Sequence, residues 1–350
     1  MIPEFYRNWD VFPKILILII FIVAGTIFLV KFCNLFVNSA SAIAKKMHIP
    51  PMIIGLTVVA IGTSCPELAV SVSDSIRSLN SGTNANIAIG NVVGSNICNI
   101  LLVLGLSIIF TPIIVKKSSL KKEFPVLLGV SLLLVLFVLI AGGITGNYEV
   151  SRWMGIVFVI LGIAYMVFLI IDAKKNKLEN DSEEIKDMKL WKAILFVIIG
   201  AIGIAAGGEF VVFGAKGLAV TGATAMGINS DLAESLVGLT IVAVGTSLPE
   251  LVTSVVAARK GENDIALGNV IGSNIFNILF VLGLSAVVNP LTTGNEIVID
   301  LIVMMASALL LFGISLTKKL DRKSGIIFII FYLMYLTYLV LRTLGIIPQM

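Results

Sequence analysis

A six-residue stretch, Gly62-Thr63-Ser64-Cys65-Pro66-Glu67, sets two hydroxyls, a proline and a carboxylate inside a long apolar segment, and the chain repeats it as Gly245-Thr246-Ser247-Leu248-Pro249-Glu250. Each copy is followed by a second block, Gly90-Asn91-Val92-Val93-Gly94-Ser95-Asn96-Ile97-Cys98-Asn99 and Gly268-Asn269-Val270-Ile271-Gly272-Ser273-Asn274-Ile275-Phe276-Asn277. Residues 55–71 match 238–254 at 12 of 17 positions, and 88–106 match 266–284 at 15 of 19. Agreement at that level marks an internal duplication, which fixes the frame before any element is counted.

The segments that hold these blocks are too apolar for a soluble domain. Of the 350 residues 58% are hydrophobic and 13% charged, with a mean hydropathy of +1.05, and apolar runs of about 20 residues recur along the chain, which reads as an all-α polytopic membrane protein. Ten transmembrane helices are expected, at about 15–37, 51–78, 85–110, 124–141, 154–171, 192–220, 232–258, 265–288, 297–316 and 325–344. The first run is too long for the apolar part of a signal peptide and is kept as a helix. Residues 173–191 form the one long charged stretch and divide a first repeat, 1–172, from a second, 192–350.

Five spans per half is an odd number, so the second copy of the motif enters the membrane from the opposite side. The expectation is two inverted five-helix repeats. The loops after spans one, three, five, seven and nine carry 18 Lys and Arg residues against five on the other side. Positive charge gathers in the cytoplasm, which puts the linker inside and both termini outside, in the cell (plasma) membrane. Cys33, Cys65 and Cys98 show no metal-type spacing and His48 stands alone beside Lys45 and Lys46, so packing and loop roles are expected for them.

Pro66 and Pro249 lack the N–H that an unbroken helix needs, so both helices should bend or unwind there and free carbonyl ligands. A broken helix at matching points of inverted repeats marks a transporter's substrate site. Glu67 and Glu250 fall mid-span, where an unpaired carboxylate costs several kcal/mol, and they need a counter-charge. The oxygens around them in sequence belong to Thr63, Ser64, Thr246, Ser247, Ser95, Asn99, Ser273 and Asn277, with carbonyls near Ala60 and Ala243. An all-oxygen set with two carboxylates suits hard cations such as Ca²⁺ and Na⁺, not zinc or copper. Ser95/Asn99 and Ser273/Asn277 each share a helix face at a spacing of four, and Gly90/Gly94 and Gly268/Gly272 offer seams for close backbone approach.

Other polar residues carry weaker signals. Asn91, Asn96, Asn269 and Asn274 read equally as interhelical glue or as ligands. Glu209 and Lys216, seven apart in span six, have counterparts near Asn34 and Ser41, so their charges are not duplicated and a structural or snorkelling role is expected. Asp231 and Glu234 precede span seven at its outer mouth. No nucleophile/base pair accompanies the carboxylates, so neither an enzyme nor a cofactor is expected. The charge is loop charge and implies no nucleic acid, and no obligate protein partner is expected.

The paired GTS-x-PE and GN-xx-GSN-xx-N blocks resemble the two alpha-repeats of the cation/calcium antiporter superfamily, most closely its prokaryotic sodium/calcium exchangers. The resemblance implies an eight-helix core that holds the ions, with spans one and six sliding across it. It also implies electrogenic exchange of about three Na⁺ for one Ca²⁺ by alternating access. On it, Glu67 and Glu250 are the central carboxylates, Thr63, Ser64, Thr246 and Ser247 lie beside them, and Ser95, Asn99, Ser273 and Asn277 complete the site with the carbonyls of Ala60 and Ala243. Some relatives, including potassium-dependent exchangers, have Asp where this chain has Asn277, which weakens a potassium-cotransport reading. A proton/cation antiporter of the same superfamily is the alternative, and a passive cation channel the reading from another class.

Overall fold

The computed structural model describes residues 11–81, 87–175, 188–225, 243–344 and 346–347. Among them eight helices are long and apolar enough to cross a membrane: Pro13–Lys46, Ala88–Phe110, Lys117–Ile144, Arg152–Lys175, Leu190–Gly222, Asn263–Val288, Ile297–Ser315 and Arg322–Thr343. A ninth span is the pair Pro51–Thr63 and Cys65–Ser81, bent by 49°. The start expected for the seventh span, with Leu232, Asp231 and Glu234, lies outside the described residues, as do most of the central charged stretch and the chain ends. The second part of that span is present as Leu248–Arg259.

Two of these helices are buried through most of their length and make the centre of the bundle: 78% of the apolar window in Ala88–Phe110 and 83% of that in Asn263–Val288 are enclosed. Both run through their Gly-Asn-x-x-Gly-Ser-Asn blocks. Gly55 and Gly268 pass so closely that a Cβ on Gly55 would stand 2.8 Å from the Ile265 carbonyl, and one on Gly272 would stand 2.7 Å from Leu56 Cα. The expected seam at Gly268/Gly272 therefore has its partner backbone, whereas no described atom lies within 4 Å of a Cβ on Gly90 or Gly94.

The first and sixth spans are longer than expected. Val11–Lys46 and Leu190–Ala225 each hold 36 residues, about 54 Å of helix against a hydrocarbon core of about 30 Å, long enough to cross with tilt or to reach beyond the hydrocarbon. The small residues Ser39 to Ala42, where the first span was expected to have ended, carry the helix on. The two pack on each other through glycines: Gly200 takes the Phe36 side chain, Gly203 takes Phe32, and Gly25 lies against Gly207 and Val211.

The described residues are nearly all helical, with four short strands between the helices. Thr111 and Asn289 precede Pro112 and Pro290, a position that disfavours the helical conformation, and both are extended, with φ −143° and −147°. Short strands follow: β1 (Ile113–Ile114), β2 (Tyr148–Val150), β3 (Leu291–Thr293) and β4 (Lys319–Leu320). β1 pairs antiparallel with β4 and β2 with β3, in registers Ile113↔Leu320 and Val150↔Leu291. Each pair joins one sequence half to the other.

Candidate cation-binding site

The helix that carries the first motif closes on Ser64, whose N–H bonds the Ala60 carbonyl at 3.0 Å, and restarts where Leu68 N–H bonds the Ser64 carbonyl at 3.1 Å. Ser64 itself leaves the helical region, with φ −88° and ψ 6°. Ser247 has φ −88° and ψ 4° and accepts from Leu251 N–H at 3.0 Å. Both breaks stand directly before the proline-containing turn, as the missing N–H of Pro66 and Pro249 requires.

These breaks aim the motif inward. Thr63, Ser64, Glu67, Ser247, Glu250, Ser95, Asn99, Ser273 and Asn277 are all buried, and Glu67 and Glu250 are at 0% exposure. Ser64 Oγ donates to Glu250 Oε1 at 2.9 Å, linking two motifs 186 residues apart. Thr63 and Ser273 face the same carboxylate. Thr63 Oγ1 also lies 3.1 Å from the Val59 carbonyl and 3.3 Å from the Ala60 carbonyl of its own helix, alternative acceptors for its single hydrogen, so the Ala60 oxygen lies beside Thr63. Thr246 is half-buried at the end of Ala243–Thr246, and Ala243 opens that turn.

Of the four asparagines left open by sequence, Asn91, Asn96 and Asn269 make interhelical hydrogen bonds through their side chains, whereas the Asn274 side chain donates to the Val270 carbonyl of its own helix at 2.8 Å. Asn269 Oδ1 accepts from Thr63 Oγ1 at 3.1 Å, and Asn269 Nδ2 donates to Ser254 Oγ at 2.9 Å and to the Glu250 carbonyl at 3.4 Å. Asn91 Nδ2 donates to Ser71 Oγ at 3.0 Å, at positions that the duplication equates with Asn269 and Ser254. Asn96 Nδ2 donates to the Asn274 carbonyl and Asn277 Nδ2 to Asn96 Oδ1, both at 3.2 Å. The Asn91 and Asn269 bonds hold the two broken helices against the two central ones, and the Asn96 bonds hold the two central helices against each other.

Sequence reasoning did not find the wide turns. Asn99–Leu104 and Asn277–Leu282 are π-helical and each begins on the candidate ligand; a third π segment, Gly55–Val59, leads into the first motif. Such turns leave carbonyls and side chains out of α-helical register and recur at functional sites. The only available signal was the Asn-Ile-Leu-x-Val-Leu run that both halves share.

Several polar atoms at this centre have no hydrogen-bond partner among the described residues although they are buried: Oε1 and Oε2 of Glu67, Oε2 of Glu250, both polar atoms of Asn99 and Oδ1 of Asn277. No Lys or Arg pairs with either glutamate among the described residues. Buried acceptors of this kind are costly unless a proton or a cation meets them, and two carboxylates with neutral oxygens are the donor set of a hard metal ion.

Membrane-spanning helices around a buried oxygen-lined centre define an integral membrane protein that handles cations. The chain belongs to the sodium/calcium exchanger protein family, whose model matches residues 17–171 and 192–341, and so to the cation/calcium antiporters. It is 38% identical over 325 residues to the putative antiporter CaxA of Alkalimonas amylolytica, covering 90% of this chain and 96% of that one. To the sodium/calcium exchanger MaX1 of Methanosarcina acetivorans it is 35% identical over 337 residues, 87% and 93% of the two chains. The solved sodium-calcium exchanger NCX_Mj superposes with a TM-score of 0.74 at 33% identity, covering 92% of this chain and 98% of that chain.

Proposed function

We propose that this protein is a secondary antiporter that exchanges Na⁺ for Ca²⁺ across the cell membrane by alternating access. The observation that carries the reading is the set of unpartnered oxygens on Glu67 and Glu250, buried at two broken helices that Ser64 joins. Glu67 and Glu250 are the charged ligands, with Thr63, Ser64, Thr246, Ser247, Ser95, Asn99, Ser273, Asn277 and the Ala60 and Ala243 carbonyls as the neutral ones. Two carboxylates balance one Ca²⁺ or two Na⁺, and a third Na⁺ makes the cycle electrogenic, at about three Na⁺ per Ca²⁺.

The same reading takes residues 1–172 and 192–350 as inverted halves of five spans each, joined by a cytoplasmic linker at 173–191, with both termini outside. The cross-pairing of β1 with β4 and β2 with β3 supports it: each pair matches the first inter-span strand of one half with the second of the other, as an internal two-fold relation requires. Sodium-gradient-driven ⁴⁵Ca²⁺ uptake into proteoliposomes tests the exchange. Uptake that ignores Na⁺ and follows an imposed pH gradient would assign the driving ion as the proton.

A further inference from the structure

The two long helices are related by the duplication, yet they do not meet the rest of the molecule in the same way. Matching 32–44 to 207–219 equates Phe36 with Val211, and the same shift equates Gly25 with Gly200. Phe36 packs on Gly200 and Val211 on Gly25, one contact with the halves exchanged, so the match holds in space. Within that frame the first long helix lies along Leu248–Arg259, while the second makes no comparable contact with the equivalent Cys65–Ser81. Thr253 is accordingly at 0% exposure and its counterpart Val70 at 42%.

The first helix is fastened to its track by polar contacts along one face. Lys260 Nζ donates to Asn38 Oδ1 at 2.7 Å and to the Asn34 carbonyl at 3.3 Å. Ser41 Oγ donates to Glu262 Oε1 at 2.6 Å, and Cys33 Sγ lies 3.4 Å from Thr253 Oγ1. Exchanging the halves turns Lys260 into Arg77, Asn34 into Glu209, Asn38 into Phe213 and Cys33 into Gly208. Gly208 sits instead 3.7 Å from Pro249 (measured from a Cβ built on it), at the level of the central carboxylates. Arg77 and Glu209 are both exposed and neither makes an ion pair or hydrogen bond with the described residues.

Glu209 is a carboxylate in the middle of an apolar span, which is costly without a partner. The exchange of halves brings to it a guanidinium, the group best shaped for a carboxylate, with the Phe213 ring one turn further on as a face for the same cation. Lys216 is seven residues away, about 10 Å along the helix, too far to serve Glu209 directly. We propose that when the site opens to the other side, Arg77 and Glu209 form an ion pair that holds the second long helix against Cys65–Ser81, in place of the Lys260 contacts seen here. The proposal rests on the inverted halves and alternating access of the proposed function. It adds the contact that each state uses to hold the sliding pair of helices.

Cross-linking tests it. In full-length protein with Cys33, Cys65 and Cys98 changed to Ala, Arg77→Cys/Glu209→Cys and Asn38→Cys/Lys260→Cys are each treated in liposomes with a short bifunctional methanethiosulfonate, because these side chains are too long for a direct disulfide. Both pairs should link, each link should stop transport until reduced, and linking one pair first should prevent the other. Failure of the 77/209 pair to link where 38/260 does, or both links in one molecule, would overturn the proposal. Arg77→Glu should slow exchange by about two- to five-fold, the range of a partly screened ion pair, and adding Glu209→Arg should restore it; a double variant no faster than the single one would also overturn it. Linking does not depend on which ions move, so links as expected in a protein without sodium-driven Ca²⁺ uptake would reject the exchange reading alone.

Discussion

Ser64 and Glu250, one from each copy of the duplicated motif, meet in a 2.9 Å hydrogen bond with the hydroxyl donating. Neither copy of the motif can build this contact by itself. Ser64→Ala removes the hydroxyl that donates to Oε1 and leaves that oxygen of a buried carboxylate without this hydrogen bond. Ser64 also gives its own oxygen to the cation in the proposed ligand set, and a polar contact to a charged group is worth about 1.5–3 kcal/mol, so losing it should raise the half-saturation for Ca²⁺ roughly ten-fold or more. Calcium-dependent uptake rates against Ca²⁺ concentration measure it, and an unchanged half-saturation would remove Ser64 from the site.

Glu67→Gln and Glu250→Gln should each abolish Ca²⁺ transport while the protein still purifies as a folded species. The amide keeps the shape and removes the charge that a divalent ion needs. Because neither Glu67 oxygen has a hydrogen-bond partner among the described residues, its replacement should leave the unfolding temperature in detergent unchanged or raise it. Normal Ca²⁺ uptake by either variant would remove that carboxylate from the ligand set.

Asn277→Asp should change the ion dependence of uptake, because a third carboxylate favours a more positive cation load. It also exchanges the Nδ2 that donates to Asn96 Oδ1 for an oxygen, which sets two acceptors together at a cost of about 1–3 kcal/mol. Uptake assayed with K⁺ on either side, alongside thermal unfolding, separates the two effects. A wild-type ion dependence in this variant would contradict a ligand role for Asn277.

Packing gives a prediction independent of ions. A Cβ on Gly55 would stand 2.8 Å from the Ile265 carbonyl oxygen and 3.0 Å from Gly268 Cα, whereas one on Gly129 meets no atom of the described residues within 4 Å. Gly55→Ala should lower stability by about 1–3 kcal/mol, and Gly129→Ala should not. Thermal unfolding in detergent reads both, and equal stability of the two variants would contradict the close helix crossing.

Orientation is tested at the linker. Ser182→Cys, in a background without the native cysteines, should resist membrane-impermeant thiol reagents in intact cells and react once the cells are opened. Ready labelling of intact cells would invert the topology.

The carboxylates, the hydroxyls beside them and the helix breaks were legible because each rests on local chemistry: Pro66 and Pro249 cannot donate, and a mid-span glutamate is rare unless used. What sequence could not supply depends on contacts between distant segments. The π turns at Asn99 and Asn277 follow from how two central helices cross, not from any residue's preference. The roles of Asn96 and Asn269 emerge only once Asn277 and Thr63 stand opposite them. Hydropathy stopped the first helix at about Val37, because it weighs Ser39 and Ser41 as polar, while Ser39 is enclosed and Ser41 is held by Glu262. The strands escaped notice because two- and three-residue pairings carry no periodicity.

In the proposed exchange, Na⁺ and Ca²⁺ take turns on the same oxygens of Glu67 and Glu250. The most direct measurement is ⁴⁵Ca²⁺ uptake into proteoliposomes loaded with Na⁺ and diluted into Na⁺-free medium, with the membrane voltage set by a K⁺ ionophore and the pH equal on both sides. Uptake that needs the outward Na⁺ gradient, falls when external Na⁺ is added and speeds up when the inside is made positive is the expected result. Uptake that is the same without Na⁺ on either side would contradict the account.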